Sequence, residues 1–277
     1  MSYPYLRLAI NFSRLEIIGY IASVFVGLLL GLLGGGGSIL SIPILVYLFQ
    51  IDAVLASAYS LFIVGTTSLV GTIPKYRDHL VNVKTGFLFG IPSVLATFIT
   101  RRWIVPTIPE VIFQTESFAL TKRLLIMGVF SVIMILASLS MIRGRKEIKN
   151  ITGSLRIPLT IVEGLMIGFI TGLVGAGGGF LIIPALVLLT RLPMKTASGT
   201  SLFIIAINSL VGFGGDVLIT KMDWTFLLIF TSIAIVGVFV GNQLSRRISG
   251  VALRKAFGWF TLLMGGSILF WELVAVP

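Results

Sequence analysis

Two short stretches of this 277-residue chain carry the residue types best suited to hold a ligand, and neither contains a charged residue. They are Gly34-Gly35-Gly36-Gly37-Ser38 and Gly175-Ala176-Gly177-Gly178-Gly179, each set between a long apolar run and a half-length one. Consecutive glycines break a helix, because a residue without Cβ takes positive φ as readily as negative. If the break lies within lipid, its freed N–H and C=O groups must face protein or a water-filled cavity. A short helix restarts after each stretch, near Ser38 and near Gly179, and its first amides lack intrahelical partners while carrying the positive end of the dipole. Such an end attracts anions. Two of them converging near the bilayer midplane would hold one anionic ligand with no buried lysine or arginine. The candidate binding residues are therefore Gly35, Gly36, Gly37 and Ser38 in the first stretch, and Gly177, Gly178 and Gly179 in the second.

Polar residues follow each stretch: Ser57, Ser60, Thr66, Thr67 and Ser68, then Ser198, Thr200, Ser201, Asn208 and Ser209. Their hydroxyls and amide can donate to an anion, or can bond to the preceding turn or a neighbouring helix. Ser60, Thr200 and Ser201 join the candidate site because they hold equivalent or adjacent places in the two stretches. Asn208 joins it because an amide in mid-segment needs a partner, protein or ligand. Gly27 with Gly31, and Gly168 with Gly172, are spaced i, i+4 and read as helix-packing glycines.

Other chemistries find little support. With one histidine and no cysteine there is no metal cluster, disulfide or thiol nucleophile. His79 lies in the charged loop Lys75-Tyr76-Arg77-Asp78-His79, so a serine-histidine pair within the apolar segments is excluded, and no membrane pair of aspartates appears. No cofactor and no enzymatic activity are expected. Glu163 and Asp216 fall near segment ends and read as interfacial carboxylates rather than as proton relays.

The elements that position these residues are set by hydropathy. The chain is 56% hydrophobic and 11% charged, with mean hydropathy +1.07, so its main solvent is lipid. The net charge of +11 comes from short basic clusters between apolar runs, which membrane topology explains and nucleic-acid binding does not. Long apolar stretches run about Leu15 to Leu33, Ala53 to Ile73, Val83 to Thr100, Leu120 to Met141, Ile157 to Val174, Thr196 to Val217, Phe226 to Leu244 and Ala252 to Ala275. Ser38 to Phe49 and Phe180 to Leu189 are half-length. The first segment is expected to stay in the membrane rather than to be cleaved.

Gly27 to Gly71 aligns without a gap on Gly168 to Gly212 at a constant offset of 141, with 22 of 45 positions identical. The matches place Gly34 on Gly175, Pro43 on Pro184, Ser57 on Ser198 and Ser60 on Ser201, which shared apolar composition would not do. The expected fold is an all-α integral membrane protein of two repeats, with about eight long transmembrane helices and two half-helices. The first repeat covers 1–142, a basic cytoplasmic linker 143–156, and the second repeat 157–277. Five apolar segments per repeat, or three crossings if each short piece folds back on a neighbour, give an odd count and so an inverted second copy. Alternating segments gather 14 basic residues on the linker side against seven opposite, which predicts a cytoplasmic linker and both termini outside.

The glycine-rich break, the apolar run to Pro43 and Pro184, and then Ala56-Ser57 to Ser60-Leu61 and Ala197-Ser198-Gly199-Thr200-Ser201-Leu202 resemble the sulfite exporter TauE/SafE family. The resemblance spans nearly the whole chain. It implies a secondary transporter of small sulfur-containing anions, such as sulfite or organosulfonates, in a prokaryotic plasma membrane. In the first copy Ala58-Tyr59-Ser60-Leu61 replaces the family's Gly-Thr-Ser-Leu, which leaves a symmetric role for the two copies open. An anion channel and a membrane scaffold without transport are the alternatives; the inverted repeat favours a carrier in which one half rocks against the other.

Overall fold

The computed structural model describes residues 4–109, 111–115, 118–143, 157–174, 179–217 and 222–274. Its long helices are α1 (Pro4–Leu33), α3 (Ala53–Arg77), α4 (Val83–Ile99), α6 (Lys122–Arg143), α7 (Ile157–Val174), α9 (Met194–Asp216), α10 (Trp224–Arg247) and α11 (Gly250–Val274). Between them lie α2 (Gly37–Pro43), carried on by a π-helical turn through Leu48, and α8 (Gly179–Leu188). Among the described residues six helices are long and apolar enough to cross a membrane. Their outer faces carry residues such as Phe25, Phe98, Leu136, Val236 and Phe239, all largely exposed. In water such faces would aggregate; against lipid they cost nothing. The linker expected at 143–156 lies outside the described residues apart from Arg143.

One element was not expected. Beyond α4 a π-helical turn (Thr100–Ile104) and α5 (Val105–Thr107) lead into an antiparallel hairpin of β1 (Val111–Thr115) and β2 (Phe118–Thr121). Val111, Ile112, Phe113 and Thr115 are β-branched or aromatic and form too short a run to cross lipid, which is why hydropathy alone left the segment unassigned.

The largest packing interfaces join helices from different halves: α1 with α10, α4 with α7, α3 with α9, and α6 with α11. Glycines make two of these interfaces backbone on backbone. A Cβ on Gly27 would lie 1.8 Å from the carbonyl oxygen of Ala234, and Gly31 stands in the same way on Val238. Gly237 and Gly241 of α10 press reciprocally on the carbonyls of Val24 and Leu28. The α4/α7 interface repeats the pattern at the 141-residue offset, with Gly168 on Ser93 and Gly172 on Thr97. Both pairs run parallel. The pairs made of equivalent helices run antiparallel: Gly65 meets Leu210 and Gly199 meets Lys75 in α3/α9, while Gly258 meets Ile142 and Gly265 meets Met134 in α6/α11.

The half-helices obey the same register. Each ends in a left-handed residue, Gln50 (φ 57°) and Arg191 (φ 58°), 141 positions apart. The amides that follow close the same turn, Ile51 N–H to the Leu45 carbonyl (3.1 Å) and Leu192 N–H to the Leu186 carbonyl (2.9 Å). Asn82 caps α4 by accepting from the Thr85 amide, and Asp223, again 141 positions on, caps α10 by accepting from the Phe226 amide. α2 does not continue α1 but folds back along it, with Gly37 against the Val26 carbonyl and the Phe49 ring against Gly19. That is the hairpin form of the short segment. α3 and α9 are the most buried of the spans and form the centre of the bundle.

Candidate functional site

α1 ends at Leu33 because Gly34 turns the chain. Its φ is +90°, a conformation that side chains rarely adopt. Its carbonyl accepts a 2.7 Å bond from Ser201 Oγ of α9, and a Cβ there would lie 2.5 Å from both the carbonyl oxygen and Oγ of Ser198. Gly34 is thus the residue that both opens the helix and lets α9 come up against the opening. The Ser38 hydroxyl closes the turn by donating to the Gly35 carbonyl (2.8 Å). No side chain caps the first turn of α2.

The first break meets the start of α8. A Cβ on Gly35 would lie 2.6 Å from the carbonyl oxygen of Gly179, and one on Gly179 would lie 3.0 Å from Ser38 Oγ. Ser38 and Gly179 are equivalent by the 141-residue offset, so α2 and α8 face each other start to start. Gly36 is right-handed at φ −63° and looks toward the Phe260 ring of α11, while Gly37 allows α2 to close on α1. Gly177 and Gly178 lie outside the described residues.

The hydroxyls divide by task. Ser201 donates to Gly34 and also to the Ser198 carbonyl at 2.8 Å. Ser60 pairs with Ser41 of α2, which in turn donates to the Ser38 carbonyl, so it reaches the break through one intermediary. Thr200 faces elsewhere: its Oγ1 accepts the Asn82 amide at 2.9 Å, fixing the start of α4. The equivalent residue Tyr59 does the same for the start of α10, its hydroxyl accepting the Asp223 amide at 2.7 Å. The residue that breaks the sequence symmetry therefore preserves the structural one, because a phenol carries its oxygen out to the place of the threonine hydroxyl. Asn208 Nδ2 donates to Ser93 Oγ of α4 at 3.3 Å, and its Oδ1 is buried without a partner.

Three residues at the centre were not singled out as site residues by sequence reasoning. Gly34 is indistinguishable from its three neighbours until backbone angles are known. Ser41 has no hydroxyl counterpart in the second copy, where Ile182 stands. Ser198 is fully buried, sits against the break, and its Oγ has no hydrogen-bond partner. Its signal was present in the match of Ser57 to Ser198. An unbonded buried hydroxyl costs about 1–3 kcal/mol, a state Ser198 shares with Ser68, Thr85 and Ser209.

A bundle with this many apolar helices of spanning length and apolar outer faces is a multi-pass membrane protein. The chain belongs to the sulfite exporter TauE/SafE family, whose model it matches over residues 20–268. It is similar to the probable membrane transporter protein YunE of Bacillus subtilis (strain 168), 26% identical with 94% of this chain and 98% of that protein covered. It is also similar to a probable membrane transporter protein of Xylella fastidiosa (strain 9a5c), 29% identical over 84% of this chain and 87% of that protein. A third relative is the probable membrane transporter protein MJ0441 of Methanocaldococcus jannaschii, 27% identical over 75% and 74%. No solved structure matches.

Proposed function

We propose that the chain is a secondary transporter that moves a small sulfur-containing anion, sulfite or an organosulfonate, across a prokaryotic plasma membrane by alternating access. The observation that carries the reading is the meeting of the first break with the start of α8, Gly35 on Gly179, with the unbonded Ser198 hydroxyl against Gly34. In this reading the amides that open α2 and α8, together with the Ser198 hydroxyl, are the donors of an uncharged cradle. It suits an anion that must leave as readily as it arrives, since donors without a fixed cation do not trap it.

The two repeats, 1–142 and 157–277, are inverted relative to each other in this reading, with the linker cytoplasmic and both termini outside. Antiparallel packing within α3/α9 and α6/α11 supports it, because an axis in the membrane plane reverses the direction of every helix it relates. The moving bodies are not the halves. α1/α10 and α4/α7 are each locked by glycine-to-carbonyl contact, so each pair, drawn from both repeats, moves as one piece around α3/α9.

The test is flux in liposomes carrying the purified protein, with sulfite, thiosulfate, sulfate and organosulfonates offered in turn. Saturable flux with trans-stimulation is expected for at least one of them, and Ser198→Ala should raise KM roughly tenfold by removing one charge-assisted hydrogen bond. Flux that does not saturate would make the protein a channel. No flux of any of these anions would reject the reading.

A further inference from the structure

The cradle uses no cation, yet α3 ends in a buried one. Lys75 is 3% exposed, and its Nζ donates to Ser245 Oγ of α10 at 2.6 Å. The acid that acts on it is Asp78, and that carboxylate is already gripped by both arms of the Arg246 guanidinium, at 2.8 and 3.0 Å. Lys195 is close as well, its Nζ bonded to the Arg246 carbonyl. Lys75 thus shares one carboxylate with Arg246, and a third cation, Lys195, lies nearby. An ammonium has three protons, and a neutral hydroxyl satisfies one of them.

The lysine is also next to the break. Gly199, the neighbour of Ser198, packs its α-carbon against the Lys75 side chain and the Leu80 carbonyl. One turn back along α3, the Gly71 carbonyl accepts from Asn242 Nδ2 at 3.2 Å, and the Asn242 backbone lies against Gly31 of α1. Ser245 donates in turn to the Asn242 carbonyl. A polar line therefore leads from Lys75 through Ser245 and Asn242 to the end of α1, where Gly34 opens. The other end of α3/α9 is unlike it. Asp216 occupies the position equivalent to Lys75, and the space there is filled by rings: Tyr20, Phe49, Tyr59, Phe226, Phe213 and Trp224, in contact at centroid distances from 4.9 to 6.4 Å.

We infer that Lys75, held in place by Ser245, forms an anion-loading station on the linker side of the bundle, a second binding site that holds a small oxyanion before it reaches the uncharged break. The inference deepens the transport reading and rests on it for the identity of the cargo, though not for the binding itself. The lysine draws the anion into the protein at this end, and the aspartate at the equivalent position repels it at the other. KM should accordingly be lower for anion offered from the linker side.

The experiment follows thermal stability of the purified protein with sulfate or methanesulfonate as probe, and flux from each face of the vesicle. Probe at a hundredfold over its Kd should raise Tm by about 3–5 °C in the wild type. The shift should shrink in Lys75→Gln to what the break alone supports, and be kept in Lys75→Arg, which retains the cation. Linker-side KM should rise about tenfold in Lys75→Gln while KM from the other face changes little. If Lys75→Gln does not fold, Ser245→Ala, which removes the acceptor that positions the Lys75 ammonium, should lose about half the Tm shift. Absence of a shift in the wild type, or an equal shift in Lys75→Gln or Ser245→Ala, overturns the station. A shift that behaves as described, with no anion crossing the membrane, keeps the station and rejects the transport reading instead.

Discussion

Replacing Gly34 by alanine is the sharpest perturbation the fold offers. At φ +90° a side chain costs about 1–2 kcal/mol relative to the right-handed region. The new methyl would stand 2.5 Å from two oxygens of Ser198 and 2.7 Å from its Cα. Two of these three atoms belong to the backbone of α9, so the strain is relieved by pushing α9 away from the break by roughly 1 Å. A displacement of that size breaks the 2.7 Å bond from Ser201 to the Gly34 carbonyl, adding about 1 kcal/mol or more. The sum is about 2–3 kcal/mol, equivalent to roughly 30- to 150-fold in any equilibrium that requires this packing. The assay is initial flux in liposomes at matched protein density, with insertion checked by protease protection. Gly36→Ala is the control: Gly36 is right-handed, and its Cβ would meet only side-chain atoms of Phe260 and Leu33 at 3.1 Å or more. Loss of flux in Gly34→Ala with near-normal flux in Gly36→Ala is expected. Equal flux in both variants and the wild type would refute the claim that the break is a functional part.

Ser201→Ala leaves the Gly34 carbonyl buried without its donor and should cost about 1–3 kcal/mol, read as a Tm lowered by a few degrees. Tyr59→Phe and Thr200→Val each remove the acceptor for a helix-starting amide and should destabilise by similar amounts, about 1 kcal/mol, with KM unchanged; a KM effect for Thr200→Val alone would return that hydroxyl to the binding site. Reporters fused after residue 277 and within the linker should report the outside and the cytoplasm respectively, and the opposite result would reverse the orientation.

The repeat was legible because glycines, serines and prolines kept their register, and these residues fix helix breaks, close approaches and turns. The half-length segments were legible from hydropathy, down to within a residue or two of α8 and of α2 taken with its π-helical turn. What sequence did not yield was direction. Four consecutive glycines are equivalent on paper, but only Gly34 takes a positive φ. Thr200 carries the right group in the right stretch, yet one helical step turns it from the break, where Ser201 points, to the Asn82 amide. The loss of threonine at Tyr59 suggested unequal copies, because residue type was visible and reach was not. Lys75 read as part of a solvated charged loop, and only packing against α9 and α10 shows that it is enclosed. In the proposed reading, the rocking unit is a helix pair with one member from either repeat rather than a whole repeat.

The interlocked pairing of α1 with α10 also sets an order on biogenesis. The glycine face of α1 is made early, but the carbonyls it needs arrive with α10, about 200 residues later, roughly 10–40 s at ordinary ribosome speed. Throughout that wait the first helix must sit in the bilayer with an unfilled groove. The nascent protein therefore assembles late and all at once, and a truncated first copy released alone would be a substrate for quality-control proteases rather than a folded domain.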